Sequence, residues 1–103
     1  MRYIDYMKVF VSFPMNGKKY EDLVKERSVI IGLCSPYLSK DAEYIDTIMK
    51  DPGDNALHCL AKTLEALSGA DLAVFSHGWE HARGCIIEHE CAEKYGIPIL
   101  EIK

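Results

Sequence analysis

Apolar residues along the chain form four short clusters that are separated by longer amphipathic stretches. The clusters lie at positions 7–12, 42–48, 72–75 and 97–100. Short apolar runs bounded by Gly, Pro, Asn, Asp or Ser are typical of β-strands. The stretches between them repeat apolar residues at helical spacing. The pattern therefore predicts the order βαβαβαβ, which is typical of an α/β protein.

The stretch after Gly17 is predicted as the first helix, and Ser35-Pro36 should end it. Its composition at 28–31 is strand-like, but the helical spacing continues through these positions. The inner face of this helix is predicted to hold Tyr20, Leu23, Val24, Arg27, Ile30, Ile31 and Cys34.

The second predicted helix follows a loop at 51–55, with Asp54 or Asn55 as its N-cap, and ends at Ser68-Gly69. Its buried stripe is predicted to hold Leu57, Leu60, Ala61, Leu64 and Leu67. The third helix should begin near Arg83 or Gly84 and end near Tyr95. Its packing face is predicted to hold Gly84, Ile87, Cys91, Ala92 and Tyr95, with His89, Glu90, Glu93 and Lys94 pointing away.

Glu88 is the exception on the third helix, because helical spacing places its carboxylate on the apolar side. A carboxylate on a packing face is costly unless it is paired, protonated or used. Gly84 lies one turn earlier and leaves space for a ligand to approach. Two interpretations stay open: Glu88 serves a functional site, or it is a half-buried Glu held by an Arg or a Tyr.

Alternating strands and helices with right-handed crossovers predict a parallel sheet covered on both faces. The fold class is therefore α/β, a small doubly wound sheet of the flavodoxin or Rossmann-like kind. At 103 residues, 49% of them hydrophobic, the chain should form one domain over 1–103. No repeat or linker divides it.

Sheets of this kind bind ligands at the carboxyl ends of their strands, so the loops at those ends are candidate binding loops. The first of these loops follows the first strand, and its candidate binding residues are Ser12, Phe13, Pro14, Met15, Asn16 and Gly17. Its alternative is an ordinary turn capped by Asn16. Asp46 follows the second strand and either binds a base or sugar or is a solvated turn residue. Asp71 opens the third strand at the opposite edge, so a structural role is expected.

The loop before the third helix supplies Gly78, Trp79 and Arg83 as further candidates, together with Gly84. Trp79, the only tryptophan, could stack on a base, pack on its own loop or form a subunit contact. Arg83 could bind a phosphate or pair with Glu80.

A metal site is not expected, although His77, His81, Cys85 and His89 recur every four residues. Gly78 and Gly84 interrupt the helical register, so these four cannot share one helix. Only Cys85 and His89 form a helical pair, and that pair is predicted on the outer flank. A Cys–His nucleophile would also lack a third, orienting group.

Charge and composition limit the classes of molecule that the protein is expected to bind and the compartment in which it is expected. The net charge is −4 and no basic run is present, which disfavours binding of a nucleic acid polymer. The first seven residues lack the features of a signal peptide, and no apolar run reaches membrane-spanning length. The four cysteines show no paired spacing, so reduced thiols and a cytoplasmic location are expected.

Two segments resemble one enzyme family. The segment 78–92, Gly-Trp-Glu-x-Ala-Arg-Gly-Cys-x-x-Glu-His-Glu-x-Ala, is followed by Tyr-Gly-Ile-Pro, and 9–17 reads Val-Phe-Val-Ser-Phe-Pro-Met-Asn-Gly. Together they resemble the nucleoside 2-deoxyribosyltransferase superfamily, in its branch of short, mostly uncharacterised bacterial and phage proteins. The superfamily pattern matches Gly84, Glu88, Ala92, Gly96 and Pro98.

The resemblance implies a sheet order of 2-1-3-4, a homodimer or larger oligomer, and a reaction that needs no cofactor. It also implies that Glu88 attacks C1′ of a 2′-deoxynucleoside or its 5′-monophosphate to form a covalent deoxyribosyl ester. Characterised transferases carry an Asp where this chain has Ala82. That departure favours hydrolysis over transfer. The alternatives are a non-catalytic nucleotide-binding module with the same pocket and an interaction subunit that has lost the site.

Overall fold

A computed structural model describes residues 7–49, 53 and 55–103 of the chain. The strands and helices are, in chain order, β1 (Met7–Ser12), α1 (Tyr20–Cys34), β2 (Ala42–Tyr44), α2 (Ala56–Ser68), β3 (Leu72–Phe75), α3 (Arg83–Lys94) and β4 (Ile99–Glu101). Short 3-10 helices occupy Ser35–Tyr37 and Trp79–His81. Most of the predicted loop at 51–55, the alternative cap Asp54 and most of the N-terminal segment 1–7 lie outside the described residues.

The four strands form one parallel sheet in the order β2-β1-β3-β4. Val9 pairs with Tyr44 on one side and with Leu72 on the other, and Ala73 pairs with Ile99. The α/β class, the parallel sheet and the strand order are thereby confirmed. From β1 the chain crosses to β2 at one side of the sheet. From β3 it crosses to β4 at the other side. The direction of the crossovers therefore reverses between β1 and β3, and open α/β sheets bind ligands at the carboxyl ends of the strands at such a point.

Two apolar clusters cover the two faces of the sheet, because successive strand side chains point to opposite sides. On one face, Val9, Val11 and Val74 pack against α1 through Leu23, Ile30 and Cys34, together with Phe13. On the other face, Phe10, Ala73 and Phe75 pack against Leu67 of α2 and Ala92 of α3. The predicted covering of both faces by helices is thus confirmed.

The helix boundaries agree with most of the sequence predictions. The first helix runs through positions 28–34 without a break and ends before Ser35-Pro36, as expected. The side chain of Asn55 caps α2 by accepting a hydrogen bond from the His58 N–H at 2.9 Å. The predicted cap at Asn16 is wrong, because α1 starts at Tyr20 with Lys19 at its N-cap and no side-chain cap.

Most residues of each predicted helix face are buried or half-buried, but single positions differ from the prediction. On α2, Leu57 and Ala61 are exposed while Thr63 is buried. On α3, Cys85 is buried and Tyr95 is 83% exposed, because Tyr95 lies at the C-cap, where the backbone has left the helical conformation. On α1, Tyr20 and Val24 are more than a third exposed. Contacts with the sheet and with neighbouring helices decide which of these positions face inward.

The second and fourth strands are also shifted from their predicted bounds. The ladder between β1 and β2 ends where the Ile45 N–H donates to the Val9 carbonyl, and the Asp46 carboxylate then accepts a bond from the Ile48 N–H. This Asx turn ends the strand, so the predicted extension to position 48 is wrong. Pro98 has no N–H for the ladder, and β4 begins only at Ile99.

At the amino edge of the sheet, Asp71 has the structural role expected of it. Its Oδ2 accepts a hydrogen bond from the Lys8 N–H at 2.8 Å, and its own N–H donates to the Lys8 carbonyl. The two central strands are thereby joined at their start. Among the described residues, no helix is long and apolar enough to cross a membrane.

Candidate functional site

Glu88 is the most deeply buried ionisable carboxylate of the described residues, at 7% exposure. It lies in the second turn of α3. Its Oε1 accepts a hydrogen bond from the Ser12 hydroxyl at 2.6 Å, and its Oε2 accepts one from the Thr63 hydroxyl at 2.7 Å. The site is therefore assembled from three elements, β1, α2 and α3.

The three side chains meet because of where each element places them. Ser12 is the last residue of β1 and shares the strand face of Phe10, which is covered by α2 and α3. Thr63 faces inward from α2, one turn after Leu60. The Ser76 N–H donates to the Ser12 carbonyl at 3.0 Å, which holds the end of β3 beside the end of β1. The carboxylate therefore sits at the carboxyl edge of the sheet, where β1 and β3 end side by side.

The hydrogen-bond partners of Glu88 are hydroxyl groups, and no cation is paired with it among the described residues. Burial raises the pKa of Glu88, and the hydrogen bonds from Ser12 and Thr63 oppose that rise. No Lys, Arg or His of the described residues forms an ion pair with it; the described pairs are Lys18–Glu26 and His89–Glu101. The alternative in which an Arg or a Tyr holds Glu88 is not found among the described residues, because Ser12 and Thr63 hold it instead. Two neutral donors hold the carboxylate without neutralising it.

A fourth group, Cys85, also belongs to the site and was predicted on the outer flank, which is wrong. Its side chain is 4% exposed and lies one helical turn before Glu88. Burial raises the pKa of the Cys85 thiol to about 11, with the Ser12 hydroxyl opposing the rise and the Glu88 charge adding to it. Cys85 is therefore a neutral thiol at physiological pH, which disfavours a role as nucleophile.

Thr63 is the functional candidate that sequence reasoning missed. The signal was its place between Leu60, Leu64 and Leu67, where a polar residue interrupts the apolar stripe of α2. A polar side chain on a packing face needs a partner. The partner lies 25 positions away, so the sequence pattern alone did not reveal it.

The predicted substrate loop has two parts with different exposure. Phe13 is 2% exposed and packs in the core with Leu23, and Met15 packs against the same cluster. Asn16 and Gly17 are exposed, and the Lys18 N–H donates to the Met15 carbonyl to close a turn with Gly17 at a φ of 79°. Pro14, between Phe13 and Met15, is half-buried. Ser12 contacts Glu88, while a role of 13–17 in binding stays a prediction.

Trp79 stacks on His89, at 3.8 Å between ring centroids and 3° between planes. Phe75 contacts both rings, and His89 Nε2 lies 2.8 Å from Glu101 Oε2. The prediction that His89 points away is therefore wrong, because its side chain is only 12% exposed. Gly78 precedes this group at a φ of 88°, a conformation that favours glycine. One face of the indole is thus covered by the protein, and stacking on a base would use the other.

The remaining candidates lie around the site without hydrogen bonds to Glu88. Asp46 is exposed and caps its own turn, and Arg83 is the exposed first residue of α3. No ion pair joins Arg83 to Glu80 in the described part of the chain. At Gly84 a Cβ would lie 4.0 Å from Leu60 Cδ1, an ordinary contact, so alanine would fit there. Two surface depressions flank Trp79, and Glu88 lines neither.

No group of three His, Cys, Asp or Glu side chains is placed to hold a metal ion within residues 7–49, 53 and 55–103. The fold separates residues of the set that recurs every four positions, which is His77, His81, Cys85 and His89. Cys85 lies inside against Ser12 and Glu88, whereas His89 contacts Trp79 and Glu101.

The raised pKa of Glu88 predicts how Glu88→Gln changes stability with pH. An unfolded Glu88 titrates near its ordinary value of 4.5, and the folded pKa lies higher. The folded protein favours the neutral form of the Glu88 carboxyl. Its favourable contribution to the free energy of unfolding is therefore fully present below the unfolded pKa and is lost as pH rises through the folded pKa. We expect Glu88→Gln to raise the melting temperature by about 5 °C at neutral pH. The gain should vanish toward about pH 4. Thermal unfolding across this pH range measures it, and a pH-independent difference would contradict the assignment.

Comparison with known proteins gives no family assignment. No family model, curated protein or solved structure matches the chain. The resemblance of 9–17 and 78–98 to the deoxyribosyltransferase superfamily therefore stays a prediction, and the functional argument depends on the geometry around Glu88.

Proposed function

We propose that the protein cleaves or transfers the N-glycosidic bond of a 2′-deoxynucleoside or a deoxynucleoside 5′-monophosphate, with Glu88 as the nucleophile. The observation that carries this proposal is a buried carboxylate at the carboxyl edge of a parallel sheet, held by the hydroxyls of Ser12 and Thr63 without a cationic partner. An oriented carboxylate that lacks a counter-ion is suited to attack a carbon that develops positive charge.

The first step forms a bond between a carboxylate oxygen of Glu88 and C1′ while the bond from C1′ to the base nitrogen breaks. The electron pair of that bond leaves with the base, which takes up a proton from solvent or a nearby acid. The transition state resembles an oxocarbenium ion, and the carboxylate stabilises its charge. The product is a neutral deoxyribosyl ester, so the step also removes a buried negative charge.

The second step regenerates Glu88. If water attacks C1′, the product is deoxyribose, or deoxyribose 5-phosphate from a monophosphate, and the enzyme is a hydrolase. If the nitrogen of a second base attacks C1′, the product is a new nucleoside or nucleotide, and the enzyme is a transferase. Either nucleophile loses a proton as the ester bond breaks, and the carboxylate reforms. Ala82 occupies the position of an Asp in the transferases that the chain resembles, which favours hydrolysis. The absence of a 2′-hydroxyl eases cation formation, which favours deoxyribose over ribose.

The substrate is assigned to the rim around Ser12. The exposed part of the first loop, Asn16 and Gly17, would hold base and sugar together with Trp79, and Arg83 at the start of α3 is available to a 5′-phosphate. No cofactor takes part in the proposed steps. A homo-oligomer is part of the proposal, because a domain of this size gains stability from a shared apolar surface.

The pH dependence of the reaction follows from the direction of the Glu88 pKa. The nucleophile must be ionised, so kcat/KM should rise with pH through a pKa above the ordinary range of Glu. Ser12→Ala removes a donor to the carboxylate and should move this acidic limb to still higher pH. Base release measured from about pH 4 to about pH 9 gives the profile. Ser28→Ala, an exposed hydroxyl on α1, should leave the limb in place.

The test of the proposed function is a base-release assay with each deoxynucleoside and each deoxynucleoside 5′-monophosphate. Products are separated by chromatography, with and without an acceptor base. Free base without acceptor identifies a hydrolase, and a new nucleoside with acceptor identifies a transferase. If no substrate releases base while nucleotide binding is measurable, the enzymatic proposal is wrong for these substrates.

A nucleotide-binding module is the second candidate, and one observation favours it. Both oxygens of Glu88 already accept hydrogen bonds, and burial raises its pKa toward the neutral form, which can bond a sugar hydroxyl without reacting. Mass spectrometry after rapid acid quench separates the candidates. A deoxyribosyl adduct on Glu88 supports the enzyme, and saturable binding without an adduct supports the module.

A further inference from the structure

The Thr63 hydroxyl has two acceptors within hydrogen-bond distance. Its Oγ1 lies 2.9 Å from the carbonyl oxygen of Leu60 and 2.7 Å from Oε2 of Glu88. A hydroxyl carries one hydrogen, so it donates to only one of these acceptors at a time. The choice depends on whether Glu88 carries a proton.

When Glu88 is ionised, its Oε2 can only accept, and the Thr63 hydrogen points to it. When Glu88 is protonated on Oε2, the acid O–H donates to Oγ1, and the Thr63 hydrogen turns to the Leu60 carbonyl. Both states leave every hydrogen-bonding group of the pair satisfied. A hydroxyl that rotates in this way can serve a carboxyl group that changes its charge during a reaction cycle.

A purely structural threonine in a helix would use the bond to the carbonyl three residues earlier and need nothing more. Thr63 differs because it is 9% exposed and because the shorter of its two contacts is the one to Glu88. Ser68 on the same helix shows the ordinary case, since its exposed hydroxyl donates to the Glu65 carbonyl and contacts no carboxylate.

We propose that Thr63 is a positioning residue for Glu88: its hydroxyl holds Oε2 toward α2 and supports the ionised carboxylate by donating to it. This role rests on the proposed function of Glu88 as the reacting group. Thr63 acts through the carboxylate and does not touch the substrate. Ser12 holds the other oxygen from the end of β1, so the two hydroxyls together fix the carboxylate between two elements.

The test compares Thr63→Val, which keeps the shape and removes the hydroxyl, with Thr63→Ser, which keeps the hydroxyl and removes a methyl group. Thr63→Ala is the second variant without the hydroxyl, and Ser68→Ala is the matched control. The first readout is the carbon-13 shift of the Glu88 carboxyl carbon as a function of pH, which does not depend on activity. The second is the pH profile of base release.

In Thr63→Val and Thr63→Ala, we expect the pKa of Glu88 to rise above its wild-type value, because a donor to the charged form is lost. Base release at neutral pH should fall about tenfold through kcat, with KM little changed. Thr63→Ser should restore both the titration and the rate toward wild type. Ser68→Ala should change neither.

An unchanged Glu88 titration in both Thr63→Val and Thr63→Ala would overturn the proposal. A Glu88 titration that is unchanged in Thr63→Val but shifted in Thr63→Ser would also overturn it, because packing of the methyl group rather than the hydroxyl would then matter. If the wild type releases no base, the proposed function fails, yet the titration still decides whether Thr63 controls the charge of Glu88. The two failures are therefore distinguishable.

Discussion

Glu88→Gln should lower base release by about 10³-fold or more while leaving the protein folded. The amide has nearly the shape of the protonated carboxyl, and the hydroxyls of Ser12 and Thr63 can bond to it with small rotations. It cannot form a stable ester with C1′, so the covalent step is lost. The assay is the chromatographic measurement of free base at neutral pH.

Two controls make this result specific. Glu65→Gln removes an exposed carboxylate from α2 without reaching the site and should retain full activity. The far-UV circular dichroism and the melting curve of Glu88→Gln should show an intact and more stable fold. If Glu88→Gln kept base release within about tenfold of wild type, the covalent mechanism through this residue would be wrong.

Phe75→Ala should lower the free energy of unfolding by about 3–5 kcal/mol. The Phe75 ring is fully buried in the cluster formed by Phe10, Leu67, Ala73 and Ala92. It also supports the stacked pair of Trp79 and His89, with its centroid 5.8 Å and 4.8 Å from theirs. Small domains have about 5–15 kcal/mol of total stability, so the loss is a large share of it.

Urea unfolding followed by circular dichroism measures this loss, and the fluorescence of the only tryptophan reports on the loop at the same time. Phe75→Leu keeps most of the volume and should cost less than about 1.5 kcal/mol. Tyr95→Ala removes an aromatic ring that is 83% exposed and should cost less than about 0.5 kcal/mol. A loss below about 1 kcal/mol for Phe75→Ala would show that the cluster does not depend on this ring.

Local patterns predicted the parts of the fold that depend on neighbouring residues in the chain. The spacing of apolar residues located three helices and four strands, and their alternation gave the α/β class. The cap at Asn55 was one of two candidates, with Asp54, that their residue types before a helical stretch indicated. Glu88 could be placed on an inner face because helical periodicity is a local property of α3.

The partners of Glu88 could not be predicted in the same way. The two hydrogen bonds that hold it join positions 76 and 25 residues apart in the chain. Whether Thr63 or Ala61 faces inward depends on a rotation of α2 by less than a full turn. Packing against α3 and the sheet sets that rotation, and no short-range pattern records it.

The surroundings of Trp79 also depend on contacts between distant positions rather than on local sequence patterns. Residue types identified Trp79 and His89 as chemically notable, but they predicted no contact between the two rings and placed His89 toward solvent. The structure stacks them on each other and adds Glu101 from β4. The end of β4 reaches this region only because β3 and β4 are adjacent in the parallel sheet.

The amino-acid sequence thus specified the order of elements, the class of fold and a carboxylate on the inner side of α3, because each depends on periodicity and capping over a few helical turns. The tertiary structure decided which hydroxyls hold that carboxylate, that Cys85 lies beside it, and that His89 covers one face of Trp79. These features depend on how separate helices rotate and pack over one sheet, and many distant contacts determine that packing together.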